Sequence, residues 1–225
     1  MSFKRRTAPA PAAGFEAMLS GFSDSPLLSD LAKSMRATVT EYKNTSEQVD
    51  RIRADKTLTD GAKLVRQATV TRAKMDAALK SLESARNQTA AGRKNVDAEI
   101  NKHLDFSRAN LAEISLAAEV RNYARSLPDD KRAKFVETAA NTYDLPALKA
   151  MAGAPSWLSG LHEAEHGMLR DRLLSAVAPE HVATRNTLAE GEKFAEDLLR
   201  QLSQSVEGLV DFESAAEIAK NSSSS

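Results

Sequence analysis

Residues 60–82 read DGAKLVRQATVTRAKMDAALKSL, and the spacing of the apolar side chains in this stretch decides the fold class. Val65, Ala68, Met75, Leu79 and Leu82 recur at intervals of three, four and seven, which lines them along one side of a helix as a coiled-coil-like seam. A strand would need alternation with period two among β-branched and aromatic residues, and no such run interrupts the stretch. Arg72 and Arg86 sit on the same stripe, so the seam is thin.

Downstream the pattern weakens around Gly92 and resumes at Val96, Ile100, Leu104, Leu111, Ile114 and Ala118. The phase slips by one residue near Leu104, as at a stutter in a coiled coil. No proline lies between Pro26 and Pro128, so one rod of about 65 residues, about 100 Å long, is sterically permitted. A break at Asn87 to Gly92 is the expected compromise. Upstream, Pro26 after Ser25 suits a first helical turn. Leu28, Leu31, Met35, Tyr42, Val49 and Ile52 then carry a matching stripe, completed by Thr38 and Thr45. Between the two helices, DKTLTDG at 55–61 reads as a turn with Thr59 or Asp60 as the next N-cap. Two long helices joined by a short turn pack as an antiparallel hairpin.

Pro128 marks a change of character. Helices are expected over 129–142, 146–151, 156–177 and 179–210, with a last turn over 214–220. Asp144 and Ser156 are the predicted caps. Leu127, Phe135, Tyr143, Leu145, Leu148, Met151, Trp157, Leu158 and Leu161 are expected to supply a small core. The fold class is therefore all-α, a long antiparallel helical hairpin followed by a cluster of shorter helices. Its expected parts are a flexible basic Ala/Pro-rich arm (1–25, with Lys4, Arg5 and Arg6), the hairpin (26–126), a C-terminal helical bundle (127–220) and a disordered serine tail (221–225).

Composition agrees. Of 225 residues only 5% are aromatic and none is cysteine, so disulfides and thiolate metal sites are excluded. Ala, Leu and straight-chain charged residues, which lose little freedom in a helix, dominate. The N-terminus lacks the apolar stretch of a secretory signal, and no segment approaches the roughly 20 apolar residues of a membrane span. The formal net charge is zero, yet bases dominate from Arg51 to Lys94 and acids dominate the last third. Opposed blocks of this kind either pair, within a subunit or head to tail between subunits, or form two solvated faces. The basic block also suits contact with a DNA backbone, although it lacks interleaved aromatics for stacking.

One stretch has the pattern of a catalytic metal site. Residues 162–166 are His-Glu-Ala-Glu-His, matching H-E-x-x-H. On a helix His162 and His166 would share a face and hold zinc, with Glu163 as general base. Glu190, Glu192 or His181 would supply the third ligand. Against this stand the charge of Glu165 inside the motif, the lack of a further histidine after Gly167, and the absence of a predicted sheet edge for a peptide substrate. The plainer alternative puts both histidines at the semi-exposed margin of the Leu169/Leu173 face. His103, alone near the end of the long helix, reads as a surface or seam residue. There is no Gly-rich phosphate loop and no nucleophile elbow.

Several short motifs taken together resemble helical proteins of tailed bacteriophages and prophages. They are Asp55 to Gly61, Ala118-Glu119-Val120-Arg121, Leu127-Pro128-Asp129 with Lys131-Arg132, Thr138-Ala139-Ala140, Asp144-Leu145-Pro146-Ala147-Leu148, Gly153 to Leu161, and Ala178-Pro179-Glu180. The likeness covers about half the chain. It implies a protein encoded near capsid and tail genes, with no catalytic residues assigned. That would be a head-interior, ejection, neck or accessory component, present in the virion and in the host cytoplasm during assembly. Its partners would be further copies of itself and capsid, portal or tail proteins. The leading expectation is thus a non-enzymatic virion or assembly protein without catalytic, cofactor-binding or metal residues. A zinc-dependent metallohydrolase using the HEAEH segment and a DNA-associated assembly factor are the alternatives.

Overall fold

The computed structural model describes Leu19, Phe22, residues 25–105 and residues 110–222. The described residues form nine helices and no strand: α1 (Ser29–Ala54), α2 (Asp60–Lys102), α3 (Leu111–Ser126), α4 (Asp129–Thr142), α5 (Leu145–Ala152), α6 (Ser156–Ser159), α7 (Glu163–Val177), α8 (Pro179–Leu209) and α9 (Phe212–Ser222). They make two compact units, one of residues 1–92 with 187–225 and one of residues 93–186. The division therefore does not fall at Pro128. Residues 93–126 join the cluster of shorter helices, and most of α8 joins the hairpin.

The hairpin unit is built on α1 and α2. At the turn, the Asp55 carboxylate accepts hydrogen bonds from the Thr57 N–H and Oγ1–H at 2.8 and 2.6 Å. These two bonds hold its carboxyl below the usual carboxylate range. Thr59 Oγ1 then accepts from the Ala62 N–H at 3.3 Å, which makes Thr59 the cap of α2. Thr38 Oγ1 reaches the Ala78 carbonyl at 3.3 Å and Lys74 reaches Glu41 at 3.3 Å. This antiparallel register sets Thr45 level with Thr71. Both are fully buried, and their hydroxyls have no hydrogen-bond partner.

A third helix completes this unit. A Cβ on Gly191 of α8 would stand 2.6 Å from Leu28 Cδ2, and Arg53 donates to the Leu209 carbonyl at 3.0 Å. Those two contacts run α8 parallel to α1. Met35, Met75, Leu82, Leu198 and Leu202 are fully buried in this unit, each worth about 1.5–3 kcal/mol in transfer terms. Arg72 caps the Phe212 ring at 5.1 Å, a cation–π contact, and Ile218 lies 3.4 Å from the Cβ position of Gly61. The N-terminal arm lies outside the described residues, apart from Leu19, Phe22 and Ser25. Leu19 is buried, and the Phe22 ring tilts against Phe194 at 5.2 Å. Of the serine tail, Asn221 and Ser222 end α9, and 223–225 lie outside the described residues.

The expected break at Asn87 to Gly92 does not occur, because α2 runs unbroken to Lys102. One interior glycine costs a helix only about 1 kcal/mol, and the residues around it are adequate helix formers. The chain turns instead after Lys102, where the His103 N–H bonds to Ile100 O at 3.1 Å. Helix α3 then starts from a reciprocal cap: Asn110 Oδ1 accepts from Glu113 N–H at 2.9 Å, and Glu113 accepts from Asn110 N–H at 3.1 Å.

The second unit packs the end of α2, α3 to α7 and the start of α8 around Ile100, Leu104, Ala124, Val136, Leu148, Met151, Leu169, Leu173 and Leu174. Helix α4 ends at Tyr143, a left-handed C-cap (φ 52°) whose ring lies under Arg172 at 4.2 Å. Asp144 accepts from the Ala147 N–H at 3.1 Å to start α5, as its position predicts. The single helix expected over 156–177 is split. Gly160 adopts φ 68°, a conformation that suits glycine, and Leu161 N–H returns to Ser156 O at 3.1 Å. Ser156 is not a cap; it begins α6 and turns its hydroxyl to Glu163.

Candidate functional site

The split after α6 decides what the HEAEH segment can do. His162 stands outside the helix as the N-cap of α7, with extended backbone angles (φ −72°, ψ 153°). Glu165 folds back to accept the His162 N–H at 2.9 Å, the acidic half of a capping box. Glu163 accepts the Ser156 Oγ–H at 2.6 Å. His166 places Nε2 2.8 Å from the Ala154 carbonyl, which fixes that nitrogen as its proton donor. Glu163, Glu165 and His166 therefore each have a local partner that shapes the α6–α7 corner. The two histidines do not share a helix face as the motif requires. His162 is exposed and His166 half-buried, close to the plain reading at the edge of the buried Leu169 and Leu173.

Glu190 and Glu192 belong to the hairpin unit. His181, in the first turn of α8, faces His103 with ring centroids 6.1 Å apart. Among the described residues no three histidine or carboxylate side chains gather closely enough to hold a metal ion.

Several bases of the basic block have partners or face different ways. On α2, Arg72 and Lys74 flank opposite edges of the buried Met75 stripe, while Lys80 points away from it. Arg51, Arg53 and Arg86 pair with Glu47, Asp50 and Glu83 three or four residues away on their own helices. The open groove between α1 and α2, of about 510 Å³, mixes Glu47 and Asp55 with Arg51, Arg66 and Lys74. Such a lining is close to self-neutral. Where the basic block meets the C-terminal helices, Arg72 does so over a ring and Arg53 through a backbone carbonyl.

A different feature distinguishes the second unit. In α3 the buried side is the small-residue face of Ala117 and Ala124, and residues 110–116 are all exposed. Leu111 is 86% exposed, Ile114 44% and Leu116 49%. The stripe Leu111, Ile114, Ala118 has seam spacing, and its position suggested an inward face. In the fold it points out. Trp157, the lone tryptophan, is 68% exposed on α6. Neither its outward position nor the His103–His181 pair is legible in local spacing, since both depend on how the short helices pack. No helix of the described residues is long and apolar enough to cross a membrane. Comparison of the chain with protein-family models, with curated proteins and with solved structures gave no match.

Proposed function

We propose that this chain is a non-enzymatic structural or assembly protein of a tailed-phage virion, acting in several copies through helix–helix contacts. The observation that carries the reading is the outward stripe of α3. Exposed leucine and isoleucine at seam spacing form a face that a second helix covers by knobs-into-holes packing. The occupant proposed is α3 of another copy, which presents the same stripe and small Ala118 at the crossing. The sequence resemblance to phage helical proteins supports the virion setting, with residence in the host cytoplasm during assembly and with capsid, portal or tail proteins as further partners.

Light scattering of the purified chain tests the contact. The expected result is an oligomer that a Leu111→Ser/Ile114→Ser variant reduces to monomer while circular dichroism stays unchanged. A native chain that is monomeric at all concentrations, or an oligomer indifferent to the double substitution, would overturn it. Mass spectrometry of purified virions and procapsids tests the setting separately, and absence of the chain from both sinks it.

A further inference from the structure

His103 and His181 come from different helices, and neither is used by the packing of the second unit. His103 follows the last turn of α2, its N–H bonded to the Ile100 carbonyl at 3.1 Å. His181 lies in the first turn of α8. Both side chains are exposed. Their ring centroids are 6.1 Å apart and the rings are inclined at 57°. Two imidazoles bound to one ion at about 2.0–2.1 Å per nitrogen hold their centroids about 5–6 Å apart, depending on the angle at the ion. The observed separation of 6.1 Å lies at the upper edge of that range.

One carboxylate interacts with the pair. Glu99 lies one helical turn before His103, with Lys102 on both of its oxygens at 2.6 and 2.7 Å. Lys102 is the main cause that keeps the Glu99 carboxyl below its usual range, and His181 and His103 add to it. The Glu99 carboxylate thus interacts electrostatically with both rings, while Lys102 holds both of its oxygens.

We infer that His103 and His181 form a two-histidine clip for a borderline divalent transition ion, with water filling the remaining positions. Imidazole nitrogen suits zinc, nickel and copper, whereas magnesium and calcium take oxygen donors. The bound ion joins the end of α2 to the start of α8, tying together the chain positions where the second unit begins and closes. An ion held only by the folded arrangement stabilises it by mass action.

The experiment is calorimetric titration of the tag-free full chain with Zn²⁺ and with Ni²⁺, beside Cu²⁺ electron paramagnetic resonance to count nitrogen ligands. The expected result is one ion per chain, two nitrogens in the copper spectrum, and a raised melting temperature. Affinity should fall at least about tenfold in His103→Ala and in His181→Ala, both exposed positions where the fold is retained. A His162→Ala/His166→Ala variant serves as the control and should bind as the native chain does. No binding to the native chain, binding unchanged in either single variant, or binding lost in the control pair would each overturn the inference.

Discussion

The two compact units treat apolar surface in opposite ways. In the hairpin unit three helices close on a seam of Ala68, Thr45, Thr71 and Gly191 punctuated by Met35, Met75, Leu82 and Leu202, and the large apolar side chains turn inward. In the other unit Leu148, Met151, Leu169 and Leu173 make a core, yet Leu111, Ile114, Leu116, Trp157 and Met168 remain outside. Among the described residues, Leu27 is the one large hydrophobic side chain of the hairpin unit left exposed. A scaffold whose helices satisfy one another has little left for a partner. A unit that leaves a leucine–isoleucine stripe in water retains surface whose burial is still available to association.

The sharpest break in that comparison comes from removing leucine in each unit. Leu82 is 0% exposed, and Leu82→Ala is expected to destabilise the chain by about 2–5 kcal/mol, measured by urea unfolding. Leu111→Ser, measured at a concentration low enough to keep both proteins monomeric, is expected to shift stability by no more than about 0.5 kcal/mol, because within one chain its side chain has almost nothing to lose on unfolding. Equal destabilisation by the two changes would mean that α3 is covered within the single chain and that the contrast between the units is false.

The hairpin was legible in sequence because period and turn chemistry agreed. The Val65 to Leu82 stripe, the Leu28 to Ile52 stripe and the Asp55/Thr57/Thr59 turn all specify the same two helices. Helix α4 was legible for the same reason, bounded by Pro128 and by Tyr143-Asp144. What failed was mostly tertiary. A stripe does not say which helix it meets, so the helix over 179–210 reads as part of the C-terminal bundle although most of it packs on α1. Nor does spacing say whether a stripe is covered, and the Leu111/Ile114 stripe is left exposed. The capping role of the HEAEH segment is hard to read in sequence, because a capping box normally opens with Ser, Thr, Asp or Asn, and here a histidine occupies that place while Glu165 supplies the cap. Gly160 gave no local warning, since its left-handed turn is packed against Arg125 and Arg132, residues distant in the chain.

Glycine provides a second, smaller contrast, one in each unit. A Cβ at Gly191 would lie 2.6 and 3.1 Å from the Leu28 methyls and 3.3 Å from Leu31. Leu28 is fully buried and has little room to move. Overpacking of about 1–3 kcal/mol, less about 1 kcal/mol gained in helix propensity, leaves Gly191→Ala destabilising by up to about 2 kcal/mol. At Gly167 of α7 a Cβ meets nothing within 4 Å, so Gly167→Ala should stabilise by about 0.5–1 kcal/mol. Thermal melts of the two variants should therefore move in opposite directions. A stabilised Gly191→Ala chain would remove the close approach of α8 to α1 from the account of the hairpin unit.

The smallest expected effect concerns the hydroxyl layer within the hairpin seam. Thr45 and Thr71 are both 0% exposed, and neither Oγ1 has a partner, although nearby Tyr42 shares a hydrogen bond with Ser205. An unsatisfied buried hydroxyl costs about 1–3 kcal/mol, while threonine and valine have similar helix propensity and nearly the same shape. Thr71→Val is therefore expected to stabilise the unit by up to about 1 kcal/mol in urea unfolding. Thr45→Val should behave alike, and the double variant should gain the sum if the two hydroxyls act independently. A loss of stability in either single variant would show that the hydroxyls are satisfied across the seam. The layer would then act as buried polar residues do in coiled coils, specifying register at some expense of stability. The register seen at Thr38–Ala78 and Glu41–Lys74 would in that case be held partly by polarity, not by apolar packing alone.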